Sequence, residues 1–222
     1  MKIFAIKEKL NMKQIFIILF IGITLSCKAQ TIVGLDAPIS SNHYLKDINN
    51  VRQNFVGVWQ YANGNQEFIL HIYKDDMNSS SYNGETFWKD NIIGNYIYKV
   101  NGVEVINTTD YLPSLLNINH TPFYGHTING ISTEEFITTI TDYGKPYLNY
   151  DCELRHKKGK VTMEITNINS GNPLQAIFVI NPELHSVKTG NANCNDPNDS
   201  SGFSLPTNMV LTKISDTPPP LD

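Results

Sequence analysis

The sequence predicts an all-β domain: a single antiparallel barrel or a β-sandwich of about nine strands, with a short N-terminal helix. Three observations predict it. Short runs of alternating apolar residues recur along the chain, turn signals such as Asn63-Gly64 and Asn101-Gly102 separate them, and long helical periodicity is almost absent. Evenly spaced short strands with turns between them are the mark of a sandwich or barrel.

The helix is expected over residues 43–54, where Leu45, Ile48 and Val51 recur at spacings of three between polar residues. So short a helix is marginal alone and must pack on something. The first strand is expected from Phe55 to Tyr61, with Phe55, Gly57, Trp59 and Tyr61 on one face and Val56 and Val58 on the other. Asn63-Gly64 is a strong hairpin signal, and Glu67 to Tyr73 returns, apolar on both faces. Residues 75–91 read as a polar excursion around Trp88. Tyr96 to Val100 and Val103 to Asn107 form a second hairpin about Asn101-Gly102.

Residues 109–125 read as irregular, with Pro113 and Pro122. Strands follow at Glu135 to Thr141, Tyr147 to His156 and Lys160 to Ile168, the last two joined by a turn at Lys157-Lys158-Gly159. Leu174 to Ile180 is the next strand. Residues 186–206 form a long polar loop rich in Asn, which tolerates left-handed backbone angles. Asn208 to Ile214 closes the domain. Thr217-Pro218-Pro219-Pro220 lies in a tail, 216–222, that cannot join a sheet. The domain proper spans 43–215, preceded by a tether over 27–42.

Two resemblances rest on these residues. Phe55-Val56-Gly57-Val58-Trp59 resembles the Gly-x-Trp opening strand of lipocalin-like (calycin) barrels. There the glycine lets the backbone bend and the Trp plugs one end with a large apolar area. Lipocalins pack an arginine from near the last strand on that Trp; the last strand here has Lys213. Nearly all of the domain also resembles a domain-of-unknown-function family of small exported proteins of Bacteroidota-type bacteria. Tyr44-Leu45-Lys46-Asp47, Asn50, Phe55-x-Gly57-x-Trp59, Asn63-Gly64-Asn65, Tyr96 to Gly102, and Gly202-Phe203-x-x-Pro206-x-x-Met209-Val210-Leu211-Thr212-Lys213 carry that likeness. It implies a single exported domain and no particular activity.

The N-terminus reads as an export signal over residues 1–26. Lys13 precedes an apolar run from Ile15 to Leu25, shorter than the roughly 20 residues of a membrane span. Met12 is a second candidate start. Ser26 is the small residue wanted before a lipidated Cys27, which would anchor the protein through acyl chains. The alternative cut, after Ala29, leaves a soluble periplasmic or secreted protein beginning at Gln30. With the lipid, the protein belongs to the cell envelope. The residues after Cys27 lack an acidic cluster, which points to an outer-membrane lipoprotein facing the periplasm.

Removing residues 1–26 takes away four of the 17 basic and one of the 21 acidic side chains, leaving a net charge of about −7. An acidic chain with two arginines, Arg52 and Arg155, argues against a nucleic-acid partner. Cys152 and Cys194 remain as one possible disulfide in an oxidising compartment.

Chemistry-bearing motifs are scarce. The six histidines show no zinc-helix or His-x-His spacing, although His120 and His126 share one segment. Residues 193–201 are oxygen-rich but lack the calcium-loop pattern. Asp75-Asp76 and Glu134-Glu135 are adjacent pairs that a strand would point to opposite faces. No nucleophile elbow or phosphate-binding glycine loop occurs. No cofactor or metal is expected. Tyr61, Tyr73, Tyr96, Tyr98, Phe136 and Phe178 lie in predicted strands, where they either line a ligand cavity or fill the core. The functional expectation is a non-enzymatic lipoprotein held at a membrane by Cys27, binding a small apolar ligand or an envelope protein. The rival is an exported hydrolase whose site is assembled only in the fold.

Overall fold

The computed structural model describes residues 30–109, 122–125, 135–148, 154–168, 172–182 and 203–221. The strands are β1 (Thr31–Gly34), β2 (His43–Lys46), β3 (Gly57–Asn63), β4 (Gln66–Tyr82), β5 (Glu85–Val100), β6 (Val103–Asn107), β7 (Phe123–Gly125), β8 (Glu135–Leu148), β9 (Leu154–Ile165), β10 (Gln175–Pro182) and β11 (Asn208–Ser215). Their pairing decides between the two architectures the sequence allows. Hydrogen bonds run β5-β4-β3-β11-β10-β9-β8-β7, and β7 pairs back onto β5. Eight strands therefore close into an antiparallel barrel.

Turn chemistry sets the hairpins. Asn101-Gly102 and Asn83-Gly84 both have positive φ at two successive residues (54° and 77°; 50° and 82°), as a type I′ loop requires. Asn83-Gly84 makes β4 and β5 one very long hairpin, which outruns the barrel as an arm. Residues 75–91, read from sequence as a polar excursion, are that arm. Ser79, Ser80 and Ser81 give no apolar alternation, yet pair with Trp88, Phe87 and Thr86. Backbone hydrogen bonds hold a strand whatever its side chains, so the hydrophobic pattern misses it.

Three other expectations change. The helix expected over 43–54 is strand β2 followed by a single 3-10 turn, Val51–Asn54. Its supposed apolar stripe does not pack as one: Leu45 is buried, but Ile48 is 63% exposed, while the polar Arg52 is 3% exposed. Lys157-Lys158-Gly159 is not a turn but the middle of β9, paired with Asp142, Thr141 and Ile140. Gly159 is there for close approach, since a Cβ would meet Ile180 at 2.6 Å. The expected strand Tyr147 to His156 is accordingly split, because Leu148 and Leu154 are register partners across a chain reversal. Finally, part of the expected tether is strand. β1 lies parallel to β2, and β2 lies parallel to β5, so β1 and β2 widen the arm.

The core is the barrel interior. Trp59 from β3, Phe68, Leu70 and Ile72 from β4, and Ile92 and Tyr96 from β5 alternate inward and meet Phe136, Val161, Met163, Phe178 and Leu211 from the other side. All are buried.

Candidate functional site

Five of the six aromatics named as possible cavity-lining residues point into the barrel. Tyr96, Phe136 and Phe178 are fully buried, Tyr98 is buried, and the half-buried Tyr61 packs on the same cluster. The rings touch each other. Phe68 lies 5.6 Å from Tyr96 and 5.9 Å from Phe178, and Phe123 lies 6.2 Å from Phe178 and 6.0 Å from Phe136, centre to centre. These are contact distances for aromatic pairs. The Tyr96 hydroxyl donates to the Thr141 carbonyl at 2.6 Å and accepts from the Tyr143 amide, and burial pushes its pKa up. Tyr73 alone lies outside the barrel, in a separate cluster with Ile93 and Tyr124. Phe123, central to the packing, sits in a segment that the sequence shows as irregular.

Gly57 and Trp59 both lie in β3. Gly57 has φ 134°, and a Cβ there would collide with the Ser215 carbonyl oxygen, so glycine lets β3 cross β11 closely. Trp59 is fully buried and its indole N–H donates to the Phe55 carbonyl at 2.7 Å. The Phe55 ring reaches Phe136 at 5.5 Å. Lys213 of β11 lies over the Trp59 ring, with its ammonium 5.7 Å from the ring centre.

A charged clasp sits where the arm leaves the barrel. Asp47, after β2, accepts the amide protons of Val51 and Arg52, which starts the 3-10 turn. The turn aims Arg52 at the arm. Its Nε meets Asp47 at 3.1 Å, one terminal nitrogen donates to the Asn91 carbonyl at 2.6 Å, and the other meets Asp76 at 2.7 Å and Asp90 at 3.0 Å. Asp90 also accepts from the Tyr44 hydroxyl and the Asp47 and Met77 amides. Burial, then Asp90, pushes the Tyr44 pKa up. A β-bulge between Asp75 and Asn78 turns Asp76 toward Arg52. Every guanidinium nitrogen is engaged by the protein, so the clasp is structural. Nothing in the sequence marks it except that Arg52 is one of two arginines in an acidic chain.

The opposite face of the same hairpin carries a second polar row. Asp75 there accepts from Asn78, and burial holds its carboxyl above the ordinary range. His71 meets Asn95 at 2.7 Å, and burial lowers its pKa. Lys89 is 1% exposed, with its ammonium 5.9 Å from the centre of the Tyr124 ring. Burial lowers the Lys89 pKa to about 8 and pushes the Tyr124 phenol to about 12. Asp75 and Asp76 thus serve opposite faces and do not form an acid–base couple.

Cys27, Cys152, Cys194, His120, His126 and residues 193–201 lie outside the described residues. Among the described residues no group of three or more His, Cys, Asp or Glu side chains is placed to hold a metal ion.

The model of a family of unknown function, DUF6705, matches residues 12–214. The chain belongs to this family. No curated protein and no solved structure matches it. The DUF6705 match covers the clasp, the arm and the barrel up to Ile214.

Proposed function

We propose that this DUF6705 protein is a non-enzymatic lipoprotein of the cell envelope. Cys27 carries the lipid, the protein faces the periplasm from the outer membrane, and the barrel is a scaffold that binds an envelope protein through its outer surface. One observation carries the choice of a protein over a small apolar ligand. Phe68, Tyr96, Phe123, Phe136 and Phe178 occupy the barrel axis in mutual ring contact, where a ligand-carrying barrel keeps its cavity. Apolar groups are available outside instead. Val103 and Val105 of β6 are 66% and 56% exposed, and Ile177 and Val210 are exposed register partners on β10 and β11.

Three measurements test this reading. Cells are labelled with a palmitate analogue, with Cys27→Ser as the control; wild type takes up label and the variant does not. Native mass spectrometry of the mature protein from its own membranes then shows the acylated chain with no small molecule bound in it. A small apolar molecule retained by both wild type and Cys27→Ser would overturn the scaffold reading in favour of ligand carriage. Photo-crosslinkers at Val105 and Ile177 identify the partner, and loss of the adduct on replacing the neighbouring Val103 or Val210 by Asp confirms the surface.

A further inference from the structure

We propose that the tip of the β4–β5 hairpin, Ser81 to Glu85, is the membrane-facing end of the molecule, with Tyr82 in the lipid headgroup region. This rests on the acylation of Cys27 proposed above, and goes beyond it by fixing how the barrel stands on the membrane.

The argument starts from strand direction. β1, β2 and β5 run parallel to one another, and β5 begins at the hairpin tip. Thr31 is paired with His43, and the neighbouring pair Tyr44–Trp88 puts His43 level with Phe87, itself opposite Ser80. The N-terminal end of β1 is therefore within two residues of the tip. Side-chain and backbone bonds lock the two together. Thr31 donates to the Asn42 carbonyl, Asn42 donates to the Thr86 carbonyl, and both the amide and the hydroxyl of Ser41 bond the Glu85 carboxylate.

Chain length does the rest. Cys27 is four residues before Thr31, a reach of about 14 Å even when fully extended. The acylated residue is thus confined to the neighbourhood of the tip. The other end of the barrel is far away. Ser80 and Gln66 are separated by about 45 Å along β4 at ordinary strand rise, and the two turns Gly64-Asn65 and Asn101-Gly102 lie together there, joined by the Asn101 amide to the Asn65 carbonyl. The membrane cannot meet both ends of so long a hairpin. At the tip it meets Tyr82, 59% exposed, in a Ser/Asn/Gly setting with one acid, Glu85, already bonded to Ser41. Tyrosine has an apolar body and a polar hydroxyl, which suits the headgroup layer. The remote end, with Val103 and Val105, is left facing the aqueous space.

The test uses the full mature, acylated protein in vesicles of phosphatidylethanolamine and phosphatidylglycerol that contain a nitroxide-headgroup lipid. A fluorescent amino acid is placed at Ser81 or at Ala62; both positions are exposed, so neither probe disturbs packing. The expected result is that the Ser81 probe loses most of its fluorescence and the Ala62 probe loses none, and that Tyr82→Ser weakens the quenching at position 81. Equal or greater quenching at position 62 in a chain whose mass shows the acyl groups overturns the orientation while leaving lipidation intact. A chain whose mass lacks acyl groups overturns the lipidation reading, and the orientation falls with it. Cys27→Ser with either probe sets the unquenched baseline.

Discussion

The ammonium of Lys213 lies 5.7 Å from the centre of the Trp59 ring, with its nitrogen 3.3 Å from the Asn54 carbonyl and 2.9 Å from Asp216. One lysine thereby joins the last strand, the first barrel strand and the turn before it, over the buried Trp59. The Lys213 side chain is 7% exposed, so the cation–π contact is largely desolvated and is worth on the order of 1–2 kcal/mol. Lys213→Ala is expected to lower the urea midpoint accordingly and shift Trp59 emission, and Lys213→Arg to preserve both. Unchanged stability in Lys213→Ala would show that the contact is incidental.

Arg52→Met leaves Asp47 and Asp90, each with a 2% exposed side chain, without their cation. Removing one member of a buried ion pair costs about 3–5 kcal/mol. Asp76, with a 64% exposed side chain, adds little to this. Equilibrium unfolding measures the loss. Arg52→Lys is expected to rescue only part of it, because an ammonium cannot span the Asp47, Asn91 and Asp76 acceptors at once. Hydrogen exchange at the amides of β2 and of residues 85–91 is expected to rise most.

Phe178→Ala opens the barrel axis. The ring touches Phe68 and Phe123, and removing a buried phenylalanine costs about 3–5 kcal/mol. The variant is also expected to bind a small apolar probe such as benzene, measured by calorimetry, where the wild type binds none. Benzene binding by wild type would return the lumen to consideration as a ligand site.

Burial gives Lys89 a pKa of about 8 against an ordinary 10.5. Between those values the folded protein has released a proton that the unfolded chain still holds. Unfolding then takes up protons, so this residue's contribution makes stability rise with pH across that window. Urea midpoints of wild type and Lys89→Met are compared from pH 7 to 10.5. The variant is expected to start higher at pH 7 and to lack the rise; parallel curves would refute the shift.

Much of the barrel is legible in the chain because it is written in local signals. Phe68, Leu70 and Ile72 alternate, Asn101-Gly102 turns, and Val161, Met163 and Ile165 alternate again. The parts that the sequence hides are those held by partners distant in the chain. Ser79 to Ser81 are strand because Phe87 and Trp88 lie beside them, and Lys157 to Gly159 are strand because β8 and β10 flank them. Of the site residues, Gly57 lies where β3 passes close to Ser215, and Trp59 is buried in the core. The polar face built on His71, Asp75 and Lys89 has no sequence signature, since no two of its members share a motif.

The sequence by itself determined the strand class and most of the hairpins, because alternation and turn residues each act over a few residues. The tertiary structure decided that the strands close as a barrel through β7, that the aromatics fill its axis, and that Arg52 locks the arm to the N-terminal segment. It also set the start of β1 beside the hairpin tip. Each of these depends on which distant strands share hydrogen bonds, and backbone pairing carries no residue code that a single chain displays.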